Sequence, residues 1–241
     1  DNSDYNNYRI SLLADASYYI RDGLQLGGRY RAVRSAYMHF ESLDNFEHRA
    51  EAELVLTLPS RTTIRGAARS AVRIFDEDGE RFGWFDAEIG LSQSIDIRTG
   101  VAATVTRRWS GDGNRPLSTY FILSGITSFW DPWDGFQADF SAKRIFPLGI
   151  ISKGKVEYWN REFAYDRSLR DRLPWLARRP GRTDEGWLFE LGLSRQQNFD
   201  WRIGRAAALS LNGGYLTNGS DDPFYAYDNL FIGVNLEIRF F

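Results

Sequence analysis

Residues 229–241 read NLFIGVNLEIRFF. Leu230, Ile232, Val234, Leu236, Ile238 and Phe240 fall on one parity, and Phe231, Gly233, Asn235, Glu237, Arg239 and Phe241 on the other. Side chains of a strand alternate between its faces, so this two-residue period predicts a strand with one wholly apolar face. The apolar run ends at Phe240, while the last aromatic, Phe241, sits on the opposite parity.

The same division recurs back along the chain. Tyr8, Ile10, Leu12, Ala14, Ala16, Tyr18 and Ile20 alternate with Arg9, Ser11, Leu13, Asp15, Ser17 and Tyr19. Arg21-Asp22-Gly23 reads as a tight turn, after which Leu24, Leu26, Gly28 and Tyr30 oppose Gln25, Gly27, Arg29 and Arg31. Ala50 to Leu58 and Ile64 to Ile74 repeat the pattern about Pro59-Ser60, with Glu51 and Glu53 on one polar parity and Arg65, Arg69 and Arg73 on the next. Phe85 to Leu91, Val101 to Val105, Trp187 to Leu193 and Ala207 to Tyr215 alternate likewise, and residues 117–130, 134–146 and 149–165 read as further strands. The total is about twelve, each near or above the roughly 9–11 residues that a tilted strand needs to cross a bilayer. The alternation of short and long connections breaks between residues 134 and 186, so the count carries a margin of about two strands.

A glycine, spaced apolar residues and a final aromatic at the end of such a series resemble the closing strand of a bacterial outer-membrane β-barrel. The resemblance is to a class and covers the whole chain. It implies an all-β fold, a transmembrane antiparallel up-and-down β-barrel of about 12 strands, with residues 1–241 as one domain. It also implies an outer-membrane location, contact with outer-membrane lipid and lipopolysaccharide, and recognition of the C-terminal strand by the barrel-insertion machinery. A periplasmic or envelope protein partner is a further expectation.

Composition is compatible with this reading. The 15% aromatic content and 22 glycines exceed what an ordinary soluble domain needs. Mean hydropathy is −0.43, a value a barrel tolerates because only alternate residues meet lipid. No window approaches the roughly 18 uninterrupted apolar residues of a membrane helix. Cysteine is absent, which removes a disulfide framework, a thiolate metal site and a cysteine nucleophile. A net charge of −2 offers no general attraction to nucleic acid. No charged segment followed by an apolar one stands at Asp1, so the chain reads as mature or as a fragment.

Candidate functional residues follow from the polar parity, which also carries Lys143, Lys153, Lys155 and Asp139. Arg29, Arg31, Glu51, Glu53, Arg65, Arg69, Arg73, Asp86 and Glu88 are expected to line a pore. In a soluble β-sandwich or lectin-like domain the same residues would form a solvated outer face. Residues 166–182 hold six arginines against two aspartates. Arg167, Arg170, Arg172, Arg178, Arg179 and Arg182 are candidate ligands for anionic sugar or lipopolysaccharide phosphates, since guanidinium forks bind such groups bidentately. A solvated surface loop is the plainer alternative.

Seven tryptophans, Trp84, Trp109, Trp130, Trp133, Trp159, Trp187 and Trp201, lie near expected strand ends and read as interfacial girdles, with sugar-stacking platforms as the sharper option. The acidic runs at residues 76–80 and 221–222 lack the spacing of a calcium loop, and no metal or cofactor is expected. His39 and His48 are the only histidines; Ser35 and Ser42 near His39 form a conceivable but unsupported nucleophile pair.

The sequence therefore points to a channel for small polar or charged solutes or a saccharide chain, and not to an enzyme. A closed structural or assembly barrel that anchors a partner is the alternative. A lipid-modifying enzyme would require His39 or His48.

Overall fold

The computed structural model describes residues 7–37, 44–76, 81–110, 133–163, 182–198, 206–223 and 225–239. They form one antiparallel sheet of eleven strands whose spatial order is the sequence order. The strands are β1 (Asn7–Arg21), β2 (Leu24–Tyr37), β3 (Asn45–Thr57), β4 (Thr62–Phe75), β5 (Arg81–Ser94) and β6 (Thr99–Ser110). After these come β7 (Trp133–Ile145), β8 (Ile150–Phe163), β9 (Arg182–Asn198), β10 (Ala206–Ser220) and β11 (Tyr227–Arg239).

Short connections gather at one end of the sheet, here the turn end. Gly23 closes the first with φ +75, and a Cβ there would meet the Thr57 carbonyl oxygen at 2.4 Å, so only glycine fits. Pro147, Leu148 and Gly149 make a single 3-10 turn between β7 and β8, with Leu148 and Gly149 both in the left-handed region. Asp96 organises the β5–β6 turn by accepting the backbone N–H groups of Arg98 and Thr99 at 2.6 and 2.7 Å. Those bonds, that of Arg98 foremost, hold its carboxyl below the ordinary aspartate range. The two longest connections, residues 111–132 and 164–181, lie at the opposite, loop end.

Two expectations change. Short and long connections alternate in step through residues 134–186, because Pro147 is a turn between two strands; the strand expected at 117–130 lies outside the described residues. The sheet also does not close, since β1 and β11 are not paired with each other among the described residues and both run from the loop end to the turn end.

Register carries one polar parity across all eleven strands. Residues directly opposite share a face. Arg29 faces Asp15 and Glu51, Arg69 faces Glu51 and Asp86, and Asp86 faces Arg108. Asp139 faces Thr104 and Glu157, Lys155 faces Ser141 and Glu190, and Asn212 faces Gly192 and Gly233.

Burial is the reverse of that in a water-exposed sheet. On the apolar face Ile10 is 72% exposed, Leu191 64% and Ile232 76%. On the polar face Glu47 is 2% exposed, Asp86 4% and Arg73 6%. The sheet curls around its charges, and the small or apolar residues buried with them, Val33, Ala67 and Ala71, share their parity.

Candidate functional site

The concave polar face divides into three zones. The first is a lattice on β3 to β6. Buried charges persist only when paired, and here each carboxylate meets at least one guanidinium. Arg65 donates to Glu53 at 2.9 Å, to Glu51 at 3.0 Å and also to Glu88. Arg69 donates to Glu88 at 2.7 Å and lies 3.4 Å from Glu51. Arg108 grips Asp86 with two bonds of 2.6 and 2.8 Å. Nearer the loop end, Glu47 accepts from Arg73 at 2.9 Å and from Arg49.

The second zone is a ladder at the loop end in which arginines and tryptophans alternate. Arg49 lies over Trp84 at 5.5 Å, and Arg108 lies over Trp84 at 5.7 Å and Trp133 at 4.4 Å. Arg161 continues it over Trp133 at 5.0 Å and Trp159 at 5.2 Å. Each desolvated guanidinium-on-indole contact contributes up to about 2 kcal/mol. Trp159 donates its indole N–H to Asn218 at 3.0 Å, which in turn donates to the Tyr225 carbonyl at 2.8 Å.

Beside the ladder, Arg182 is held between the rings of Phe163 and Tyr225, at 3.8 and 3.7 Å, with Asp184 at 3.2 Å from its Nε. That Nε is within ion-pair range but is not aligned for a hydrogen bond, and neither it nor the buried Nε of Arg161 has a hydrogen-bond partner.

The third zone is a cavity of about 620 Å³ toward the turn end, lined from β4 to β10. Hydroxyls, amides and glycines line it together with Val101, Leu193 and Leu211, and its charges are Arg61, Glu190 and the three lysines Lys143, Lys153 and Lys155.

The structure brings Glu51, Glu53, Arg65, Arg69, Asp86 and Glu88 together in the lattice. Arg73 belongs to the same face but to the separate Glu47 cluster. Arg29 and Arg31 lie on β2, opposite Glu51 and Arg49 respectively. Arg182 opens β9, buried between two rings and not in a solvated loop, whereas Arg167, Arg170, Arg172, Arg178 and Arg179 lie outside the described residues.

Sequence reasoning missed Glu47 and Arg108 as site residues because it began β3 at Arg49 and ended β6 at Thr106. Both continue the polar parity of their strands, which was the available signal. Of the tryptophans, Trp109 and Trp187 face the apolar side, beside Phe85 and beside Tyr158 and Phe189. Trp84, Trp133 and Trp159 share the parity of the charges, and the arginines over their rings leave them poor sugar platforms. Trp130 and Trp201 lie outside the described residues.

His48 is on the apolar side, accepting from or donating to the Tyr30 hydroxyl and edge-on to Phe46 at 4.4 Å. Ser35 is on the polar parity with Arg9 and Asn45, and His39 and Ser42 lie outside the described residues. At the loop-end rim, Asp76 accepts from Arg34 at 2.6 Å, and this bond holds its carboxyl below the ordinary range. Asp221 accepts the Thr183 N–H at 3.0 Å; residues 77–80 lie outside the described residues. Among the described residues no group of three His, Asp or Glu is placed to hold a metal ion.

No protein-family model matches the chain, and no curated protein or solved structure matches it either.

Proposed function

We propose that the chain is a bacterial outer-membrane β-barrel whose polar face lines a narrow passage for small charged or polar solutes, or for a saccharide chain. One observation carries the reading: charges are buried and paired on one face while Ile10, Leu191 and Ile232 are among the most exposed residues on the other. A sheet in water buries its apolar face against a second layer, and no such layer covers this one among the described residues. Hydrocarbon is the solvent that would favour the arrangement, with alternation apolar-out and polar-in. Outward aromatics at the loop end, Phe85 with Trp109 and Tyr158 with Trp187 and Phe189, suit an interfacial belt.

The passage would be narrowest at the arginine–tryptophan ladder and widest at the lysine cavity. No cofactor and no catalytic step is assigned, and His48 on the apolar side gives an enzymatic reading no support.

A closed anchoring barrel is the second reading, favoured by how fully the lattice and ladder neutralise and fill the loop-end interior. The test is conductance of the refolded, heat-modifiable chain in a planar bilayer under a salt gradient. Steady conductance with a defined reversal potential is expected. Silence from folded protein, with an envelope partner recovered by pull-down, would replace the passage with the anchor.

A further inference from the structure

The lysine cavity differs from the lattice on β3 to β6 in one respect: two of its charges, Lys143 and Lys153, have no partner among the described residues. Lys143 and Lys153 are directly opposite on β7 and β8. Like charges in that position repel, and a wall selected only for stability would place a carboxylate at one of them. Neither lysine makes a hydrogen bond or ion pair with any described residue. Lys155, two residues along, already engages Glu157, leaving Glu190 as the one further carboxylate on the cavity wall.

The neighbours on either side are glycines, Gly100 opposite Lys143 and Gly192 opposite Lys153. A Cβ at either would meet nothing nearer than a backbone oxygen at 3.7 Å for Gly100 and 3.9 Å for Gly192, so their bareness is not forced by crowding and leaves room beside the ammonium groups. Hydroxyls and an amide, Ser141, Ser194 and Asn212, also line the wall.

We propose that this cavity is a binding site for a small hydroxylic anion, a phosphorylated or carboxylated polyol or sugar. The ammonium groups of Lys143 and Lys153 hold the anion and the serines and Asn212 bond its hydroxyls. Two facing ammoniums gain an anion between them without losing any existing ion pair, so binding replaces repulsion with charge-assisted hydrogen bonds. The cavity is large enough for a solute of this size. The proposal deepens the passage reading, and rests on it for the route of entry though not for the binding itself.

The experiment titrates glycerol phosphate into the refolded chain in detergent micelles at low salt, by calorimetry, with glycerol as the neutral control. Lys143→Gln/Lys153→Gln is the variant; both side chains are exposed and without a partner among the described residues, and heat-modifiability reports whether it folds. Saturable binding of glycerol phosphate, none of glycerol, and at least about tenfold weaker binding by the variant are expected. Absence of saturable binding to folded wild type, or undiminished binding by the folded variant, overturns the site. Bilayer recordings on the same preparation separate the two ideas. Conductance without glycerol phosphate binding leaves the passage and removes the site; binding by a silent barrel does the reverse.

Discussion

The lattice on β3 to β6 and the cavity around Lys143 and Lys153 on β7 and β8 are built from one alternation on one face, yet they are opposites. In the lattice long charged side chains reach past small ones such as Ala67 and Gly90, and arginine's planar fork lets a single residue such as Arg65 serve Glu51, Glu53 and Glu88 together. In the cavity, glycine and serine replace the partners, and lysine is a point charge on a flexible stem. Alternation therefore decides which way a residue faces. Which residues stand opposite decides whether the face is a fastened wall or an open site.

The largest expected effect comes from breaking the wall. Arg73→Met leaves Glu47 buried with Arg49 as its guanidinium partner, and should destabilise the refolded protein by about 3 kcal/mol. A lowered urea midpoint by tryptophan fluorescence would show it; an unchanged midpoint would mean that the Glu47 cluster is an ornament of a sheet held otherwise.

Next is the ladder that runs past both regions. A Cβ at Gly186 would meet the Trp159 ring at 2.3 Å and the Thr217 carbonyl oxygen at 2.5 Å. Gly186→Ala should therefore displace Trp159 from Asn218, cost about 1–3 kcal/mol, and change the tryptophan emission of the folded state. Identical emission would place the ring elsewhere.

The cavity should respond in the opposite sense to the wall. Removing the facing charges in Lys143→Gln/Lys153→Gln should leave stability unchanged or raise it by about 0.5 kcal/mol. A loss as large as that of Arg73→Met would make the lysines structural and erase the contrast.

The smallest effect is at the rim. The Asp76 carboxyl is depressed in the folded state by Arg34, so its contribution is present above the ordinary aspartate range and fades as pH falls through the lowered value. The pair is exposed, so Asp76→Asn should cost about 0.5 kcal/mol or less near neutrality. The difference from wild type should vanish in strong acid; a difference that grew on acidification would reverse the assignment.

Much of this was legible in the sequence. The period of two gave the strands, and grouped Glu51, Glu53, Arg65, Arg69, Asp86 and Glu88 on one parity before any register was known. Strand ends were harder, because Glu47 and Arg108 lie where aromatic and loop-like residues blur the pattern. Register was beyond reach: periodicity fixes the face of Lys143 and of Lys153 but not that they confront each other, which depends on the turn at residues 147–149. Three of the tryptophans depart from the girdle expectation for a related reason. Position near a strand end was allowed to outweigh parity, and parity puts Trp84, Trp133 and Trp159 with the charges.

Because each strand pairs with its neighbour in sequence, the sheet can assemble as five hairpins, β1–β2, β3–β4, β5–β6, β7–β8 and β9–β10, each closed at the turn end. The joins β6–β7 and β8–β9 must close the longest connections, residues 111–132 and 164–181, at an entropic cost that grows by about 0.6 kcal/mol for each doubling of length. Arg65 and Arg69 reach across a shorter join between hairpins, from β4 to Glu88 on β5. The lattice is thus a weld between units that could otherwise form early and apart. β11 is the odd strand, with no hairpin of its own at the turn end. Its topology leads us to expect late, single recruitment, which amides on β11 becoming protected from hydrogen exchange after those on β3 to β6 during refolding would show.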